Sequence, residues 1–436
     1  MSSAASSPAS SAASSASAFR KLLFFALFLT FDLIMFGAFV RVTDAGLGCP
    51  DWPGCYGKIT PLGALDTIRA EAAERPQGPV TEFKAWVEML HRYVAAGLGL
   101  IIIALAVMAT RLRRARLAEA RVDASHGRRP PPGGTAGRAA PGVAGSRITP
   151  GAGARMAPED PPAGGLPPSS PGPAARPLPA EAATPAAPPG VALAWFTLVW
   201  IILQGIFGAW TVTLKLKPLV VTGHLLGGMI LFGLLLAQAV RVAGHPPVAR
   251  EAGRYLRWGA LALAMLFVQI TLGGWVSTNY ATLACRDFPA CQGEFWPPMD
   301  FAAGFELWRR LGVTGEGAAL PFQALTAIHY THRLFAYAVF AVVGLLAWRI
   351  RRVGGLERVG DTLVAVLVLQ LVTGLTNIFL DWPLVAAVLH TGGAAALLGL
   401  LLVVLFRARA AAALPPVAVD STRASPLSGP PARAGA

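Results

Sequence analysis

The sequence predicts an all-α polytopic membrane protein whose eight transmembrane helices form two pseudo-symmetric four-helix bundles. Composition is the first observation behind this: 54% hydrophobic and only 14% charged residues over a 436-residue chain, with mean hydropathy +0.54, is too apolar for an ordinary soluble domain. The second is a series of apolar runs, each near the roughly 20 residues that a helix needs to cross a bilayer. The third is an internal register. Val40 stands nine residues before Cys49 and Val276 nine before Cys285; Cys49/Cys55 and Cys285/Cys291 share one spacing. Gln204 precedes His224 by twenty residues and Gln370 precedes His390 by twenty, with Gly208 and Gly374 in step. Agreement at such separated places indicates a duplicated four-span unit in parallel orientation.

In chain order, residues 1–19 are expected to be a disordered tail, because the Ser/Ala tract to Ala18 is uncharged and too repetitive to pack a core. Arg20 and Lys21 then precede the first span, Leu22–Val42. A cleaved signal peptide shares that basic flank, but this run has full bilayer length and a counterpart later in the chain. The absence of arginine from the first 18 residues argues against a mitochondrial presequence. An outer loop, 43–84, carries Cys49 and Cys55, and the second span runs from Trp86 to Thr110, where Arg111, Arg113, Arg114 and Arg116 stop it. Residues 117–190 hold nearly half of the 36 prolines and read as a disordered cytoplasmic linker, in which His126 has no expected role.

Six spans follow: Val191–Thr213, Leu219–Arg241, Tyr255–Val276, Phe322–Trp348, Asp361–Leu380 and Pro383–Phe406. The two halves are thus 20–241 and 255–407, and 408–436 is a second disordered tail. Arg241, Arg250, Arg254, Arg257, Arg349, Arg351, Arg352, Arg407 and Arg409 all fall on the side of the linker, so both termini are expected in the cytoplasm. Lys215 and Lys217, in a short outer turn, are the exception. The net charge of +14 is therefore topological, and membrane lipid rather than nucleic acid is the expected surroundings.

The candidate chemistry begins at Glu88, three residues before His91 and on the same helix face. An ionisable group at the edge of an apolar run is costly and counts as a functional candidate. His332 stands in the matching place of the second half, with His329 where Glu88 stands in the first. His224 and His390 also open apolar runs. Within a four-helix unit the second and fourth spans lie diagonally across the core, so their histidines face each other at one depth. Two such pairs describe bis-histidine haem sites. Alternatively each imidazole is a polar residue meeting headgroups, but matching register in both pairs favours haem. Zinc is a weaker rival, since no short segment clusters Cys and His. The four cysteines lie in outer loops, where an oxidising compartment allows local bridges Cys49–Cys55 and Cys285–Cys291.

Paired four-span halves, Glu88-x-x-His91-Arg92, His332-Arg333, the lone His224 and His390, and the outer cysteine pairs together resemble bacterial heme A synthase. The likeness spans nearly all of Arg20–Phe406; the Pro-rich insertion and the tails depart from it. It implies oxidation of the C8 methyl of heme O to the formyl of heme A for cytochrome oxidase, in a bacterial inner membrane. It implies His332 and His390 as axial ligands of a resident haem b, His91 and His224 flanking the substrate haem, and Glu88 as the catalytic carboxylate. Heme O synthase and oxidase assembly factors are the implied partners, and homo-oligomerisation is left open. A carboxylate suits the reaction because methyl oxidation withdraws electrons from carbon, and a nearby carboxylate stabilises charge or takes a proton. The rival role for Glu88 is a first-turn residue favoured by the helix dipole. Arg92 and Arg333 are candidates for haem propionates or for anchors at the bilayer surface. Two readings of another class stay open: a cytochrome b relaying electrons through two permanent haems, and a haem-delivery protein without catalysis.

Overall fold

The computed structural model describes residues 8–125, 187–244 and 246–414. The chain divides into two compact units, Met1–Arg114 with Ala180–Ala436 and Ala115–Pro179. Of the second unit only the end of one helix is described; residues 126–186 of the expected linker and the chain beyond 414 lie outside the described residues.

Among the described residues the fold is helical: α1 (Pro8–Val42), α2 (Leu65–Glu74), α3 (Glu82–Ser125), α4 (Val191–Thr213), α5 (Pro218–Ala243), α6 (Leu256–Thr278), α7 (Phe301–Gly304), α8 (Phe322–Ile350), α9 (Glu357–Phe379) and α10 (Leu384–Ala412). All except the short α2 and α7 are long and apolar enough to cross a membrane, which makes eight candidate spans. Their outward residues, among them Phe28, Leu100, Ile202, Val268 and Val372, are exposed apolar side chains, as lipid-facing surfaces require.

Several boundaries differ from the sequence expectation. Helix α1 begins at Pro8, inside the stretch expected as a disordered tail. Alanine has the highest helix propensity and serine a moderate one, so the tract extends a helix that the following span nucleates. Helix α3 continues to Ser125, past the expected linker start at 117, because Leu, Ala, Glu and Arg after Arg116 are strong helix formers. Helix α10 likewise runs five residues into the expected 408–436 tail, through an alanine run.

In the second half of the chain α8 packs on α6 and α9, and α10 packs on α9 and α6, so α8 and α10 stand diagonally, as a four-helix ring demands. In the first half α5 packs on α1 and α4. Helix α3 joins through side chains, with Leu98, Ile102 and Leu105 against Phe19 and Leu23 of α1 and Leu235 of α5. Contacts of α1 with α10, and of α5 with α6 and α10, bring Ile34, Met229 and Phe232 into the buried apolar cluster of α6, α8, α9 and α10. Glycines allow close approach there: a Cβ on Gly392 would meet the Met35 sulfur at 2.9 Å, and one on Gly399 the Phe232 ring at 3.1 Å.

Polar contacts mark the two ends of the helices. At one end Arg241 donates to the Pro188 carbonyl, Arg250 to that of Leu414 and Arg407 to that of Gly355. At the other, Arg41 donates to the Ser277 carbonyl at 2.6 Å and Tyr280 to Asp44 at 2.6 Å. Lys217 sits 4.0 Å from the Trp308 ring centroid, which gives one of the two lysines that stand apart from the other basic residues a partner through its cation–π contact.

Candidate functional site

The site is built from matching parts at the second end. Cys49–Cys55 and Cys285–Cys291 are both disulfides, each closing a loop whose second cysteine forms an isolated bridge three residues on. Inside each loop an aspartate receives two backbone N–H groups. Asp51 accepts from Tyr56 and Gly57 at 2.6 and 2.8 Å, and Asp287 accepts from Gln292 and Gly293, both at 2.8 Å. Burial opposes ionisation of Asp287, but these N–H bonds outweigh it and hold its carboxyl below the usual range.

Each loop is gripped from beneath by an arginine. Arg92 donates to the carbonyls of Asp51 at 2.9 Å and Gly54 at 2.7 Å; Arg333 donates to those of Asp287 at 2.8 Å, Ala290 at 2.7 Å and Cys285 at 3.1 Å. The sequence reading set propionates against the bilayer surface for these side chains; the structure places both on loop carbonyls. Glu88 is 4% exposed. One of its oxygens accepts from the Cys49 N–H at 2.9 Å, and the other pairs with Arg92. His329, in the place of Glu88, is buried against the Ala281 carbonyl at 3.0 Å.

The four histidines singled out by register share a different environment. Each is only part-buried, and each ring lies against a glycine of the preceding span. A Cβ on Gly37 would stand 3.4 Å from His91, on Gly208 3.2 Å from His224, on Gly273 3.0 Å from His332, and on Gly374 3.4 Å from His390. The backbone carbonyls of three are held by glutamines: Gln204 donates to His224 at 2.7 Å, Gln269 to His332 at 3.1 Å and Gln370 to His390 at 2.8 Å. His224 lies within electrostatic reach of His91, and His332 within that of His390. Phe36 meets the His91 ring edge-on at 5.5 Å. Paired, part-exposed imidazoles in glycine cradles, with a buried unpartnered Nδ1 on His224, fit axial ligation of a haem; no group of three or more His, Cys, Asp or Glu among the described residues fits a bare metal ion.

The family model for cytochrome oxidase assembly protein, COX15-CtaA, matches residues 20–125 and 178–402, leaving out most of the Pro-rich insertion. A protein of Shewanella oneidensis named heme A synthase is 33% identical over 381 residues, 86% of this chain and 92% of its own length. The chain belongs to the heme A synthase family. Proteins of the same name from Caulobacter vibrioides and Caulobacter sp. strain K31 are 29% identical over 217 residues and 31% over 206, covering 48% and 45% of this chain and 60% and 57% of their own.

Sequence reasoning missed parts of the site that register would have exposed. Asp51 and Asp287 keep the same offset as the cysteines, as do Gly37 and Gly273. Asp32 was also passed over. It is an acidic residue inside α1, one turn from Phe36 on the same face, and a carboxylate within a span is a signal in itself.

Proposed function

We propose that the protein is a heme A synthase, an oxidoreductase that converts the C8 methyl group of heme O to the formyl group of heme A for cytochrome oxidase. The observation that carries this reading is the pairing of His91 with His224 and of His332 with His390, four imidazoles in matching glycine cradles. In this reading the chain forms two four-helix halves; His332 and His390 hold a resident haem b, and His91 and His224 flank heme O. A bis-histidine haem supplies one-electron transfer. The basic ends of the helices face the cytoplasm of a bacterial inner membrane, with both termini there.

The chain's own contribution to the chemistry centres on Glu88. It stands one helical turn before His91, on the same face, in a place shielded from water where a fixed charge acts more strongly than in solution. Cys49 N–H and Arg92 hold the carboxylate rigidly. With the Gly48 N–H also directed at it, three contacts still leave a lone pair unused, since an ionised carboxylate offers about four acceptor sites. A carboxylate so placed stabilises positive charge developing at the methyl carbon or accepts its proton. The second half has no counterpart, because His329 is occupied by the Ala281 carbonyl. This asymmetry supports chemistry in the first half and a permanent cofactor in the second.

The test is expression of the full chain in a bacterial host that makes heme O but no heme A, followed by pigment extraction. Heme A should accumulate in membranes holding the protein. Its absence, with the protein inserted and haem b bound, would overturn the assignment.

A further inference from the structure

We propose that Thr373 is a positioning residue that makes His390 a permanent haem ligand, and that Phe207, at the same register position before His224, leaves that ligand free to exchange its haem. The proposal rests on the histidine pairs as haem ligands. It arises from a comparison that the molecule itself controls. Gln204 and Gln370 donate to the histidine carbonyls at 2.7 and 2.8 Å, and Gly208 and Gly374 lie against the same Cε1 atoms. Gly227 and Gly393 leave room for the two glutamines. One position differs. Seventeen residues before His390 stands Thr373; seventeen before His224 stands Phe207.

Thr373 Oγ1 lies 3.0 Å from His390 Nδ1. Its single proton is directed to the helix, where it donates to the Leu369 carbonyl at 2.8 Å, so towards the imidazole it acts as acceptor. Nδ1 therefore carries the ring proton, and Nε2 keeps its lone pair for iron. A hydrogen bond of this kind fixes tautomer and ring plane and raises ligand basicity. Phe207 has no acceptor to offer, and His224 Nδ1 is buried with no side-chain partner, its ring having only the Gln204 backbone within reach. The other two ligands differ in polarity but not in the same hydrogen bond: Gln269 brings its amide nitrogen, a donor that also reaches the His332 carbonyl, 3.0 Å from His332 Nδ1, so it orients that ring without acting as the acceptor Thr373 is, whereas the register puts the apolar Leu33 at that place before His91, whose ring meets only the Leu33 backbone. A cofactor has to stay, and a substrate has to arrive and a product leave. Polar partners on one pair and apolar residues beside the other divide the sites accordingly.

The experiment uses the full-length, haem-loaded protein in detergent and follows haem loss to excess apomyoglobin together with the low-spin electron paramagnetic resonance signal. Thr373→Val should speed loss of haem b by about 10–100-fold, the range found when such an outer partner of a metal ligand is removed, and should shift the low-spin signal. Thr373→Ser should restore both. Phe207→Thr should slow loss from the first-half site. Unchanged loss and an unchanged signal in Thr373→Val would overturn the proposal. His390→Ala serves as the separate control: if low-spin haem b survives that change, the ligand assignment itself fails, whatever Thr373 does.

Discussion

Glu88 and Arg92 form a buried ion pair one turn apart on α3, with side chains 6% and 13% exposed, and both also bond the Cys49–Cys55 loop. The pair thus joins the loop to the helix that carries His91. Removing one partner of a buried pair strands the other charge, at a cost of about 3–5 kcal/mol. Arg92→Ala should therefore lower stability to chemical denaturation by about that amount and make the first loop sensitive to protease. Arg333→Ala should loosen the second loop with a smaller loss, since no carboxylate is stranded. Equal stability of Arg92→Ala and wild type would show that the pair holds nothing in place.

Glu88→Gln keeps size and an acceptor for the Cys49 N–H but removes the charge. Heme A formation should fall by roughly 100-fold or more, heme O or a hydroxylated intermediate should accumulate, and haem b should stay bound. Glu88→Asp, which keeps the charge but withdraws it, should retain partial activity. A Gln variant making heme A at the normal rate would reduce Glu88 to a loop anchor.

His332→Ala or His390→Ala should abolish stable haem b, because bis-histidine ligation cannot survive loss of an axial imidazole without a change of spin state. His329→Ala should matter less for the cofactor, its ring being committed to the Ala281 carbonyl. The optical spectrum of each purified variant reads the difference directly.

How legible this was in the sequence depends on the kind of interaction. Spans were readable because burial in lipid demands apolar runs of fixed length, and α4 falls on Val191–Thr213 as expected. That four histidines would share one kind of environment was readable through register. Arg92 and Arg333 were not, because an arginine next to a helix start looks the same whether it meets lipid, propionate or loop carbonyls; only the fold brings carbonyls some forty positions distant onto it. Thr373 and Phe207 were hidden for a related reason. Their significance is a contrast between two places, and neither residue type signals a ligand partner by itself.

Asp287 carries the clearest pH dependence outside the membrane. Its folded-state acidity is enhanced, so the stability it lends the second loop is present above the ordinary carboxylate value and lost as pH falls through the lower folded value. Pepsin cleavage within residues 285–293 should accelerate only below roughly pH 4. In Asp287→Asn it should be fast throughout the range where pepsin acts.

Topology is open to direct labelling. Cysteines introduced at the exposed Lys58 and Glu294 should react with an impermeant thiol reagent in intact cells, and one at the exposed Glu251 should react only after permeabilisation. Reaction of the Glu251 position in intact cells would reverse the orientation.

The division of labour between the two histidine pairs is tested most directly by the pigments of the purified protein. Extraction and chromatography should yield one haem b per chain with substoichiometric heme O or heme A, and His332→Ala should remove the haem b alone. Two equivalents of haem b, both retained and neither replaced by heme O or heme A, would contradict the account and make the protein an electron relay.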